Sequence, residues 1–191
     1  VGLCATDLKS TSGALRPQTS LPFIPGHEVA GTVVHSPGDP SLEGRRVACY
    51  LYEHCGACTW CRAGRPTLCP QARRIGIERD GGLATYMVAT AENLLPFGDD
   101  TDPAAAAIAM DAVTSPWGAL HGHARVQPGE RVAVSGCGGL GLNGVQIARA
   151  AGAAVAAIDP NPRHRELALE RGAEIAVALD DLDALRAWAP E

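Results

Sequence analysis

The stretch 131–159, "RVAVSGCGGLGLNGVQIARAAGAAVAAID", narrows the possible folds of this chain more than any other. An apolar segment, "RVAVS", runs into Gly136-x-Gly138-x-x-Gly141, then into "LGLNGVQIARAAG" and "AAVAAI", and closes on Asp159. In the middle segment Asn143, Gln146 and Arg149 fall three apart on one face of a helix, and Gly141, Gly144, Val145, Ala148 and Ala151 make up the other. A face of such small residues can lie close against a sheet. Strand and helix alternating at this length predict βαβ units and a parallel sheet. "PRHRELALERG" and "EIAVAL" add a second helix and a third strand, about half of a doubly wound nucleotide-binding sheet.

A G-x-G-x-x-G triplet alone is weak, but this one follows a strand, opens a helix and has Asp159 placed 18 residues after its last glycine. Gly136, Gly138 and Gly141, with Gly139 and Leu140 between them, would let the backbone approach a pyrophosphate at the positive end of the helix. Asp159 would accept from the adenosine ribose and repel a 2′-phosphate, which favours NAD over NADP even with Arg163 four residues on. The competing reading of Asp159 is a cap for the helix beginning near Pro162. Cys137, inside the loop, reads as packing, and His121 and His123 as solvated.

The first half of the chain has a different grammar. Up to about residue 95 it is rich in Gly and Pro, and "EVAGTVV", "RVACYLY", "GGLATYMVA" and "ENLLPF" each read as a short strand between turn formers. From Thr101 an alanine-rich stretch, capped and with a proline in its first turn, reads as a connecting helix pair broken near Ser115-Pro116. The expected organisation is a β-rich domain over 1–100 with a cysteine lobe at 54–70, connecting helices over 101–127 and a nucleotide-binding domain over 128–191.

Composition excludes several classes. With 16 basic and 21 acidic residues the net charge is -5 and the arginines are scattered, so nucleic acid is an improbable partner. The longest apolar run, 104–110, is far below the ~18 residues of a membrane span, and "VGLCATD" is no secretory leader. Seven cysteines, four of them clustered, fit metal-bound thiolates in a reducing compartment better than a disulfide framework, which places the protein in the cytoplasm. The chain begins on Val1 and ends within a repeating strand and helix pattern, as a fragment would.

The cluster is Cys55, Cys58, Cys61 and Cys69. Four thiolates complete a tetrahedral zinc and leave no position for substrate, so such a site holds a loop together. A redox C-x-x-C pair would leave two thiols idle, and a zinc ribbon for nucleic acid would want a basic surface. Arg62, Arg65, Arg73 and Arg74 are near enough in sequence to offset the -2 charge of a four-thiolate centre. A catalytic zinc needs three protein ligands and an open position. Outside the lobe the candidates are Cys4, His27 and Asp111; taken singly they read as a small buried hydrophobe, a turn residue and a helix-terminus group. Spacing cannot bring them together.

"CATDLK", "PGHEVAG", the C-x2-C-x2-C-x7-C lobe, "DGGLATYMV", "DAVTSPWGAL" and "PGERVAVSGCGGLG" occur in this order over essentially the whole chain. In this the chain resembles the zinc-containing medium-chain alcohol dehydrogenases. The resemblance implies a mixed β and α/β architecture, a GroES-like β-rich catalytic domain followed by the first half of a Rossmann sheet. It also implies a catalytic zinc on Cys4, His27 and Asp111 besides the structural zinc, with NAD as hydride acceptor for a primary or secondary alcohol. By the same resemblance Glu28 is the acid behind the metal, Asp7 fixes the imidazole of His27, and Thr6 touches the substrate oxygen. Lys9 stands where many relatives place a proton-relay histidine. Polyol dehydrogenases of the family carry Glu-Pro where this chain has Asp111-Ala112, which ranks a simple alcohol above a polyol. The zinc-free quinone reductase branch lacks both ligand sets. The rival from another class is an inactive, zinc-stabilised NAD-binding protein. The expected partners are a small alcohol and, for the full-length protein, further copies of itself as a dimer or tetramer.

Overall fold

A computed structural model describes residues 1–14 and 21–189. The chain divides into two compact units, Val1–Asp111 and Ala112–Glu191. Among the described residues no helix is long and apolar enough to cross a membrane.

The first unit is built on an antiparallel sheet in the order β1 (Val29–Thr32), β2 (Arg46–Cys49), β5 (Leu94–Pro96), with Ala30 opposite Ala48 and Ala48 opposite Leu95. Val29, Cys49 and Ile75 are buried together, and Met87, Ala89 and Leu94 pack on them. A short helix α1 (Ala5–Thr11) precedes the sheet, and Gly2 bridges Glu28 at the entry to β1. The two-residue strands β3 (Tyr52–Glu53) and β4 (Arg73–Arg74) pair antiparallel and form the base from which the cysteine lobe, with its single-turn helix α2 (Thr59–Arg62), projects.

Two expectations fail here. "RVACYLY" is not one strand, because Tyr50 leaves the ladder: its N–H donates to the carbonyl of Asn93, whose side-chain amide bonds back to Tyr50 and Tyr52. "GGLATYMVA" joins no sheet. The N–H groups of Gly81, Gly82 and Leu83 donate instead to the carbonyls of Ile24, Gly26 and Pro25. Beyond them Tyr86 and Val88 face out while Met87 and Ala89 face the core, an alternation without a ladder.

The alanine-rich segment is helical over 103–124, with no break at Ser115-Pro116. Asp102 caps α3 (Pro103–Ile108) through the N–H of Ala104, and α3 packs on β1 and β2. A π-helical turn, Ala109–Val113, leads into α4 (Thr114–Trp117), and a second, Gly118–Ala124, ends at Arg125 in the left-handed conformation. Pro116 is tolerated because it falls in the first turn of α4, directly after the widened turn, where a missing N–H removes no bond of a regular ladder.

In the second unit β6 (Arg131–Ser135), β7 (Ala154–Ile158) and β8 (Ile175–Val177) form a parallel sheet with β7 central. The helices α5 (Gly139–Ala150), α6 (Pro162–Glu170) and α7 (Leu182–Trp188) accompany it. Gly144, Val145 and Ala148 are the buried face of α5, as the three-residue spacing requires. Val145 and Val155 are fully buried, each contributing about 1.5–3 kcal/mol of apolar burial.

Candidate functional site

In the lobe, Cys58 and Cys61 sulfurs lie 3.4 Å apart, Cys69 and Cys55 3.6 Å, and Cys55 and Cys61 3.9 Å. Ligands at about 2.3 Å in a tetrahedron stand about 3.8 Å from one another, so the four sulfurs already have the spacing of a zinc site. Backbone N–H groups of Cys58, Cys61 and Gln71 point at the sulfurs of Cys55, Cys58 and Cys69. Those of Ala57 and Cys58 draw the Cys55 thiol down to about 6, and the Cys61 N–H lowers Cys58. Burial, then the neighbouring sulfurs of Cys58 and Cys69, push Cys61 up to about 12. Without a cation the quartet cannot ionise fully, and soft thiolates of this number and geometry suit zinc. Two of the nearby arginines are committed elsewhere: Arg74 pairs with Glu78, and Arg65 lies 5.7 Å over the Trp60 ring.

The second group assembles from residues far apart in sequence. Cys4 is the N-cap of α1, and its own N–H donates to Asp7 Oδ2 at 2.9 Å. The other carboxylate oxygen of Asp7 accepts from the Gly26 N–H at 3.0 Å and faces His27 Nδ1 at 3.2 Å. A carboxylate only accepts, so Nδ1 carries a hydrogen, and Nε2, on the side of Asp111, is the nitrogen whose lone pair a metal would take once its proton leaves. His27 Nε2 lies 3.3 Å from Asp111 Oδ2, close to the ~3.4 Å expected of N and O ligands on a tetrahedral zinc. One ligand atom from each of Cys4, His27 and Asp111 lies within 4.8 Å of the others. The π-helical turn at 109–113 positions Asp111; sequence spacing carries no sign of it.

His27 is 2% exposed. Burial works against its charged form, yet the Asp111 hydrogen bond, the Asp7 charge and Cys4 outweigh it and raise the imidazole to about 9. A pocket that holds a proton this firmly is one that a divalent cation neutralises in the proton's place. Three donors leave a fourth position on such an ion, unlike the closed quartet. Around the set, the Thr6 hydroxyl accepts from the Cys4 thiol at 3.6 Å, Glu28 is 4% exposed beside His27, and Lys9 is exposed on the last turn of α1.

At the glycine loop, Gly136 has φ +85° and its N–H donates to Ile158. A Cβ on Gly141 would stand 1.8 Å from the Gly136 carbonyl oxygen, so α5 begins packed directly on the loop backbone. Gly138 is the N-cap of α5, and nothing lies within 4 Å of where a Cβ on Gly138 or Gly139 would sit. Leu140 is half exposed beside them. Asp159, at the end of β7, accepts from the N–H groups of Cys137 at 2.6 Å and Asn161 at 2.8 Å, and faces His164 Nδ1 at 3.2 Å. Burial would raise this carboxyl, but the Cys137 and Asn161 N–H groups and His164 hold it below the usual aspartate range. The cap of α6 is Asn161, which accepts from the Arg163 N–H at 2.9 Å, and not Asp159. Sequence reading missed His164; its one signal was a position in the first turn of the helix after Asp159.

A β-rich unit with a four-thiolate lobe and a separate Cys-His-Asp set, followed by a parallel-sheet unit with a glycine loop, defines a zinc-type dehydrogenase architecture. Residues 1–99 match the alcohol dehydrogenase GroES-like domain. An alcohol dehydrogenase of Geobacillus stearothermophilus is 39% identical over 179 residues, 92% of this chain and 52% of that protein. L-galactonate-5-dehydrogenase of Escherichia coli (strain K12) is 36% identical over 168 residues, 87% of this chain and 48% of its own length. The cobalt- and zinc-bound structure of a thermostable alcohol dehydrogenase from Pyrobaculum aerophilum superposes with TM-score 0.86 at 30% identity, covering 96% of this chain and 56% of that one. The chain belongs to the zinc-containing medium-chain alcohol dehydrogenase family. It spans about half the length of the curated relatives it matches.

Proposed function

We propose that the protein is a two-zinc, NAD-dependent dehydrogenase that oxidises a primary or secondary alcohol to an aldehyde or ketone. The observation that carries this reading is the convergence of Cys4, His27 and Asp111 beside the Thr6 hydroxyl, apart from the closed thiolate quartet. Cys4, His27 and Asp111 would hold the catalytic ion, and Cys55, Cys58, Cys61 and Cys69 the structural one. When bound, zinc supplies Lewis acidity toward a substrate oxygen, and NAD supplies the hydride acceptor. With Cys4 and Asp111 anionic and His27 neutral, the protein balances the charge of a divalent ion.

The remaining work falls to the chain's own groups. Asp7 fixes the ring orientation and tautomer of His27, so that Nε2 presents a lone pair. Thr6 accepts the substrate's hydroxyl proton as it passes on its own, and Lys9, three residues along α1, stands on the route to solvent. Glu28 lies behind the ligand set as a buried acid. The N–H groups from Gly138 to Gly141 bind the pyrophosphate, and Asp159 accepts from the adenosine ribose. The protein works in the cytoplasm as a homo-oligomer.

The test is zinc analysis of purified protein, followed by NAD reduction assays with ethanol, propan-2-ol and sorbitol. Two zincs per chain and turnover of the simple alcohols are expected. Preference for sorbitol would move the assignment to the polyol dehydrogenases, toward which the L-galactonate-5-dehydrogenase relative already leans. NADH binding without turnover of any alcohol would reduce the protein to a zinc-stabilised dinucleotide binder.

A further inference from the structure

His27 takes its place from the three residues before it, and those residues are held by another part of the chain. Pro25 has no N–H, so Ile24, Pro25 and Gly26 carry five backbone polar groups, and all five are hydrogen bonded. The N–H of Ile24 donates to Asp80 Oδ1 at 2.9 Å. The carbonyls of Ile24, Pro25 and Gly26 accept from the N–H groups of Gly81, Leu83 and Gly82 at 2.7, 3.0 and 2.9 Å. The fifth group, the Gly26 N–H, donates at 3.0 Å to Asp7 Oδ1, the same oxygen that faces His27 Nδ1.

The approach leaves no room for side chains. A Cβ on Gly81 would stand 2.1 Å from the Gly26 carbonyl oxygen and 2.8 Å from that of Pro25, and a Cβ on Gly76 would stand 2.5 Å from the Gly26 oxygen. Backbone meets backbone at both positions, so relief has to come from moving the Gly26 peptide. Because Asp7 Oδ1 is shared, a displaced Gly26 either carries its neighbour His27 with it or pulls away from the carboxylate that orients the ring.

We infer that the 76–83 segment positions His27 for metal binding, with Gly76, Gly81 and Asp80 as its positioning residues. The inference rests on the reading of Cys4, His27 and Asp111 as a metal set. Gly76, Gly81 and Asp80 act through the 24–26 backbone, and what they fix is where Nε2 of His27 points. A metal site holds its ligand distances to within about 0.2 Å. Real Cβ contacts lie beyond 3.0 Å, so a side chain at Gly81 forces a shift of about 1 Å, well outside that tolerance. Asp80 is exposed and contributes one hydrogen bond, so its loss is the milder perturbation of the same device.

The experiment keeps zinc in the lobe, empties the second set by mild chelation and titrates it with cobalt(II), whose visible bands report ligand number and geometry. The variants are Gly81→Ala, Asp80→Ala, Asp80→Asn and the control Gly31→Ala, where nothing lies within 4 Å of the added Cβ. Gly76 is left alone because its φ of +75° would add strain of its own. Gly81→Ala is expected to weaken cobalt binding about 10–100-fold, the range for groups that orient metal ligands, and to shift the bands while the lobe keeps its zinc. Asp80→Ala should weaken it about fivefold, and Asp80→Asn, which keeps an acceptor oxygen, should restore the parent value. Gly31→Ala should match the parent. A Gly81→Ala protein with the parent's affinity and spectrum overturns the proposal. If Gly81→Ala fails to fold, the Asp80 pair decides: weakening by alanine with rescue by asparagine supports it, and no weakening by alanine, or equal weakening by both, overturns it. A cobalt site present in the parent and unchanged in every variant overturns this inference alone; a parent that binds no cobalt outside the lobe overturns the metal-set reading and this inference with it.

Discussion

Two glycines three residues apart on α5 should respond to the same substitution with opposite signs. At Gly141 an added Cβ meets the Gly136 carbonyl oxygen at 1.8 Å, and no side chain can swing aside because the obstacle is backbone. Relief requires the loop and the start of α5 to separate by more than about 1 Å, at the upper end of the ~1–3 kcal/mol typical of overpacking. Alanine returns about 0.8–1.0 kcal/mol of helix propensity, so Gly141→Ala should lose about 2 kcal/mol. At Gly144 the nearest atom is Pro116 Cβ at 3.6 Å, an ordinary contact, so Gly144→Ala keeps the propensity gain and should stabilise by about 0.5–1 kcal/mol. Urea unfolding followed by far-ultraviolet circular dichroism measures both. Trp117 and Trp188, both in the second unit, report on it by fluorescence. Gly141→Ala should also weaken NADH binding, since the displaced N–H groups are those expected to face the pyrophosphate. A Gly141→Ala protein as stable as the parent would refute the close-approach argument; a destabilised Gly144→Ala would refute the packing assigned to α5.

Further predictions concern the two metal sets and the carboxylates. Cys69→Ser should lower zinc by one per chain and leave the Cys4 set occupied, as read by elemental analysis after mild chelation. Asp111→Ala should abolish alcohol turnover while the lobe keeps its zinc; retained turnover would remove Asp111 from the ligand set. Asp159→Asn leaves one of two buried backbone N–H groups without its charged acceptor and should cost about 1–3 kcal/mol at neutral pH. The folded-state pKa of Asp159 is depressed, so its contribution is present above the unfolded-state value and is lost as pH falls through the folded one. The difference between the parent and Asp159→Asn should therefore shrink in acid. Glu78, held low mainly by Arg74 against the opposing effect of burial, follows the same sign: Glu78→Gln should destabilise the first unit at neutral pH and matter less in acid.

Legibility in the sequence followed the range of the forces involved. The parallel sheet, the buried face of α5 and the thiolate quartet come from contacts local in sequence, and their periods and spacings could be read directly. The set of Cys4, His27 and Asp111 could not be read that way, because three separate elements deliver it; only resemblance to a family brought those residues together on paper. "GGLATYMVA" has the alternation of a strand, and alternation tells which side faces the core without telling whether a neighbour is there to pair with. Pro116 reads as a helix breaker only where helix geometry is regular, and the π-helical turn before it departs from that geometry. His164 stayed hidden because a histidine in a charged helix turn has no periodicity to betray a partner five residues back.

Between residues 54 and 70 the only buried side chain is Cys69; Trp60 and Leu68 are exposed. A segment with so little apolar interior would draw its cohesion from a bound metal, so loss of the ion would release the lobe while the sheet of the first unit persists. The bond after Arg62, in an exposed single-turn helix, would then become a tryptic site that the helix of a metal-loaded lobe would hold out of reach of the protease. Protease susceptibility at that one position would thus report zinc occupancy copy by copy.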